Sequence, residues 1–154
     1  MKHLRLLFAI GWFTLVFNAA SAQDKGPVEL VTAGKFKVGQ IWKYDNRPLE
    51  GGSTLTILKI EKFSKGDTIV HIRVDGIRMA NSRAPGGYST YLEHLPYSIK
   101  ALSKEVRSVV GHTDHLPDFE EGYQQWRSAW DNGKAGYFTV SVKELISGTE
   151  KTMK

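Results

Sequence analysis

Ser53-Thr-Leu-Thr-Ile-Leu-Lys-Ile-Glu-Lys-Phe63, Ser64-Lys-Gly-Asp67 and Thr68-Ile-Val-His-Ile-Arg-Val-Asp-Gly-Ile-Arg-Met79 decide the fold. The first and last of these stretches are rich in β-branched residues, and the middle one is a short turn containing glycine. Two such runs joined by such a turn predict a β-hairpin. Upstream, Ile41-Trp-Lys-Tyr44 alternates apolar and polar residues, and Asn46-Arg-Pro-Leu-Glu-Gly-Gly52 has turn composition, which adds a preceding strand. Downstream, Ala80 to Gly87 is a loop, and Tyr88 to Glu93 is a candidate fourth strand.

Beyond the sheet the apolar period changes. Ile99, Leu102, Val106, Val109 and Val110 recur at helical spacing behind Ser98, a candidate N-cap, and Gly111 is placed to stop that helix. Asp118 and Glu121 have capping-box spacing, and Phe119, Tyr123, Trp126 and Trp130 lie on one face of the helix they open. Asn132-Gly133 ends it. Ser141-Val-Lys-Glu144 is a second capping box, flanked by Val140 and Leu145 as a hydrophobic staple, and predicts a short terminal helix. The expected fold class is α+β: an antiparallel sheet of three to four strands, followed by two amphipathic helices and a short terminal helix packed on one face. The aromatic stripe is expected to serve chiefly as core between sheet and helix.

The N-terminus reads as a targeting segment. Lys2 and Arg5 precede the apolar run Leu6 to Phe17, and Ala20 and Ala22 supply a small-x-small cleavage site, so residues 1–22 are expected to be a cleaved signal peptide. The apolar run falls short of the roughly 20 residues of a bilayer span. Residues 23–34 read as a flexible leader, with Val28 to Val31 able to pair as a short edge strand, and 35–154 as a single α+β domain. After cleavage about 130 residues remain, enough for one domain with a core of its own. The chain has no cysteine, which excludes disulfides and thiolate chemistry. Two of the 21 Lys and Arg and none of the 16 acidic residues lie in the signal segment, leaving a net charge of +3. The basic residues are dispersed, which argues against nucleic acid as a partner. A periplasmic or secreted bacterial protein is the expected destination.

Three sets of residues could carry chemistry. Strand alternation puts His71 and Arg73 on one face, able to orient an anion or to supply a base with an electrostatic partner. The competing reading is a solvated face on which Arg73 pairs with Glu61 or Asp75. His94, in Glu93-His-Leu-Pro-Tyr-Ser98, lies where sheet passes into helix; it could join them or simply serve the backbone at a corner. His112, Asp114 and His115 hold ligand chemistry for a divalent ion, but at loop spacing, so no metal and no cofactor is assigned. Gly133-Lys-Ala-Gly136 lacks the spacing of a phosphate loop.

Gly39-Gln-Ile-Trp-Lys-Tyr44, Ser53 to Glu61, Thr68 to Ile72, His94 to Tyr97, Tyr123-Gln-Gln-Trp-Arg127 and Gly133 to Gly136 together resemble a group of small secreted bacterial proteins with no established activity. The resemblance implies a self-contained domain with His71 and His94 at motif positions, and supplies no catalytic residue. With no assembled catalytic constellation, the chain is expected to be a non-enzymatic binding or envelope accessory module. Its partner would be an envelope or extracellular protein. The alternative is a small hydrolase or ligand-binding enzyme built on His71, Arg73 and His94.

Overall fold

The computed structural model describes residues 26–63, 66 and 68–152. The signal peptide expected at 1–22 lies outside them, as does all of the Ser64–Asp67 turn except Gly66. The described residues form eight strands, three helices and one 3₁₀ turn, in the order β1 (Val28–Leu30), β2 (Thr32–Ala33), β3 (Phe36–Lys37), β4 (Gln40–Tyr44), β5 (Thr54–Lys62), β6 (Thr68–Ala80), the turn Pro85–Gly87, β7 (Tyr88–Ser98), α1 (Ile99–Glu105), β8 (Val106–His112), α2 (Glu120–Asp131) and α3 (Val142–Thr152).

The hairpin forms as its alternation predicts. β5 and β6 pair antiparallel from Thr54↔Asp75 to Lys62↔Thr68, with a register shift between Ile57 and Lys59. Around it the sheet runs β7-β6-β5-β4-β8, and β1 joins the same edge of β5 as β4, further along the strand, through Leu30↔Ile60. β2 and β3 make a separate two-stranded ribbon. β7 is longer than expected and carries His94 to Tyr97 within the strand. Pro96 is tolerated there because this is the sheet's edge, where Phe138 donates its N–H to the Pro96 carbonyl at 2.8 Å.

The expected plan, three to four strands followed by helices packed on one face, is corrected in two ways. The main sheet has six strands, and the helices neither all follow it nor share a face. The helix expected to run from Ile99 to Val110 ends at Glu105, and Val106–His112 is an edge strand paired with β4 from Gln40↔His112 to Tyr44↔Val106. The valines that fall at helical spacing are also good strand formers, and a free edge of β4 was available to pair them. The class remains α+β.

One sheet face carries Leu55, Ile57, Ile60, Val70, Ile72 and Val74, joined by Trp42 and Tyr44. It is closed by Leu102 of α1 and Val142, Leu145 and Ile146 of α3. α3 starts with the reciprocal capping box expected of it: Ser141 donates its N–H to Glu144 Oε2 at 2.9 Å, and Glu144 donates its N–H to Ser141 Oγ at 3.3 Å. α2 does not open that way. Asp118 Oδ1 takes the N–H of Glu120, two residues on, at 3.2 Å, and Phe119 is the N-cap without a side-chain bond. α2 lies over the opposite face, the one bearing Glu61 and His71. Among the described residues no helix is long and apolar enough to cross a membrane.

Candidate functional site

The site grows from strand alternation. His71 stands opposite Lys59 on β5 and Pro96 on β7, and its side chain leaves the sheet on the face away from the main core. The register shift between Ile57 and Lys59 sets Glu61 on that same face. There the side chains form a chain of hydrogen bonds. Tyr123 of α2 donates its hydroxyl to Glu61 Oε1 at 2.7 Å, Glu61 Oε2 meets His71 Nε2 at 3.0 Å, and His71 Nδ1 meets His94 Nε2 at 2.8 Å. His71 is completely buried and Glu61 is 3 % exposed.

The electrostatics assign the protons. Burial works to raise the Glu61 carboxyl, but the bonds from His71 and Tyr123 overcome it and hold the group below the usual carboxylate range. Burial pushes His71 down against the pull of Glu61, and drives His94 down to about 3, with His71 adding in the same direction. Both imidazoles are therefore neutral near pH 7. An ionised Glu61 can only accept, so His71 carries its proton on Nε2 and receives the Nε2–H of His94 on Nδ1. The Tyr123 phenol is held above its ordinary value by burial and by the carboxylate it serves.

An aromatic roof covers the chain. The two imidazoles stack with centroids 5.0 Å apart, Trp126 meets the His71 ring edge-on at 4.8 Å, and Phe119 lies nearly parallel to His94 at 6.4 Å. α2 can come this close because residue 122 is glycine: a Cβ there would sit 3.1 Å from the Cβ of His94. Further along, Trp130 packs on Phe63 at 4.9 Å, and the Trp126 indole N–H binds the Gly136 carbonyl at 2.7 Å. His71, with both ring nitrogens engaged and no exposed surface, cannot reach a substrate. The constellation orients a histidine as a catalytic relay would, yet it also fastens α2 to the sheet.

Of the residues singled out in the sequence, His71 and His94 come together and Arg73 does not join them. Arg73 donates from Nε to both oxygens of Asp75, at 2.8 and 2.9 Å, and lies 4.2 Å over the ring of Tyr91. Glu61 and Tyr123 complete the chain; sequence pattern alone offers the first as a possible partner of Arg73 and the second as core. His112 Nε2 lies 3.1 Å from Asp114 Oδ1, while the backbone N–H and carbonyl of His115 bond Thr113 Oγ1. Among the described residues no three His, Cys, Asp or Glu side chains converge to hold a metal ion.

Past α2 the same sheet face is open. Arg73 and Tyr91 stack there, and beside them Arg78 lies 4.2 Å over Tyr88, with the two tyrosines 48 % and 42 % exposed. Loop 81–87, with Arg83 at its surface, borders this half. No family model, no curated protein and no solved structure matches the chain.

Proposed function

We propose that this chain is a non-enzymatic exported binding module, and that its contact surface is the open half of the α2-bearing sheet face. The observation that carries the reading is the pair of exposed arginine–tyrosine stacks, Arg73 on Tyr91 and Arg78 on Tyr88, set on neighbouring strands. Tyrosine and arginine dominate the binding energy of protein interfaces, because each offers a large, stiff contact area with a polar edge. Strands hold that area in place at little entropic cost. The guanidinium groups of Arg78 and Arg83 have no carboxylate partner among the described residues, which suits a protein partner with an acidic patch. Export rests on the n-, h- and c-region pattern of residues 1–22. The alternative, a hydrolase using His71, Arg73 and His94, draws support from the His71–His94 hydrogen bond, but Arg73 is engaged elsewhere and the rings are roofed.

The test is affinity capture of envelope proteins by the mature chain, with binding of the captured protein then titrated against the Tyr88→Ala, Tyr91→Ala double variant. The expected result is one protein whose affinity falls by roughly 30-fold in the variant, the loss that accompanies a hot spot. Unchanged affinity would move the interface elsewhere. Turnover of a model ester or amide that is abolished by His94→Ala would favour the enzyme.

A further inference from the structure

On the other face of the sheet, α1 ends on an acid that turns inward. Glu105 is 4 % exposed, and its Oε2 accepts the backbone N–H of Val142, the first residue of α3, at 2.9 Å. Its second oxygen, Oε1, is buried without a hydrogen-bond partner, and so is the hydroxyl of Tyr97, which is fully buried on β7. Leu102, Val142 and Ile146 belong to the same core. An ionised carboxylate here would keep one charged oxygen unsatisfied in apolar surroundings, which is among the costlier arrangements a core can hold. A protonated carboxyl avoids the charge and still leaves Oε2 to cap α3.

We propose that Glu105 is a proton-binding latch: in the folded chain the carboxyl holds a proton on Oε1 while Oε2 accepts the first N–H of α3, and losing that proton leaves an unsatisfied charge in the core and weakens the fold. The groups facing it come from each neighbouring element. From β4 and its following turn come Tyr44 and Asp45, the latter ion-paired with Arg107 of β8; from β7 comes Tyr97; from α3 come Lys143 and Glu144. Burial holds both phenols above their ordinary value, Tyr44 at about 12, so neither ionises near neutrality. The Tyr44 hydroxyl is already taken by Ser53 Oγ at 2.7 Å. Burial, reinforced by the charges of Asp45 and Glu144 against the Val142 N–H, places the Glu105 transition at about 7.

The experiment compares urea unfolding of the full mature chain and its Glu105→Gln variant, whose amide imitates the protonated acid. Histidines that are buried neutral act in the opposite direction over the same range, so the quantity read is the difference between the two proteins. From about pH 6 to about pH 8 the unfolding constant of the parent should rise about tenfold relative to the variant. Parallel profiles would overturn the proposal. If Glu105→Gln does not fold, isotope-edited infrared spectroscopy of the parent decides. A buried protonated carboxyl band at about pH 6 that vanishes by about pH 8 supports the latch, and absence of that band overturns it.

Discussion

His71 and Arg73 are two residues apart on one strand face, yet they carry opposite structural weight. His71 is wholly buried between Glu61 and His94, so His71→Ala strips one oxygen of a buried carboxylate of its partner and leaves a void beneath Trp126. A cost of about 3 kcal/mol is expected in chemical denaturation. Arg73 is partly exposed, and its ion pair with Asp75 is screened by solvent. Arg73→Ala is expected to change stability by less than about 1 kcal/mol. Comparable losses from the two substitutions would contradict this division of the face.

At the level of the element, α2 is held by polar bonds as well as by rings, and this makes its docking sensitive to acid. The folded pKa of His94 lies below its ordinary value, at about 3, and those of Glu61 and His71 are also depressed, so the folded state binds fewer protons than the unfolded chain. The stability these groups contribute is complete above about pH 6.5 and is lost as pH falls toward the folded value. Fluorescence of Trp126 and Trp130 should report a progressively lower urea midpoint on acidification, with a shallower dependence in His94→Gln. Glu105 acts in the opposite direction, so the difference between the two proteins is the quantity read, and parallel profiles would contradict the assignment of a neutral His94. β8 shows how an element can be misread. Its valines satisfy two periods at once, and its two register shifts against β4 blunt the exposed edge of the sheet, where Val109 and Val110 face solvent.

Across the molecule, Arg47 ties together three parts that are far apart in the chain. Its guanidinium grips both oxygens of Glu50, at 2.6 and 3.0 Å, reaches Glu150 of α3 at 2.7 Å, and donates to the Arg78 carbonyl at 3.1 Å. Glu50 in turn accepts the N–H of Arg78, and Glu150 that of Ala80, each at 2.7 Å. One clamp therefore joins the β4–β5 turn, the end of β6 and the last turns of α3. Arg47→Ala is expected to cost about 3 to 5 kcal/mol, because Glu50 would remain buried without its counter-charge. Arg47→Lys should recover little of this, since an ammonium cannot fork onto a carboxylate. A thermal melt in which the lysine variant matches the parent would overturn the bidentate account.

Local chemistry sufficed for several features. The alternation of Thr54 to Lys62 and Thr68 to Met79 specified the central hairpin, Ser141 and Glu144 specified where α3 begins, and the aromatic stripe from Phe119 to Trp130 specified an amphipathic helix. These depend on neighbours within a few residues, so periodicity and capping chemistry contain them. Only the tertiary structure decided that Val106 to His112 would pair with β4 rather than prolong α1, and that α2 would cover the face opposite α1 and α3. It also decided that Glu61, His71, His94 and Tyr123 would meet in one chain of hydrogen bonds. Each of those outcomes rests on strand register and on which face a helix finds open. Such choices are made by burial and pairing between segments tens of residues apart, whose energies no local pattern records.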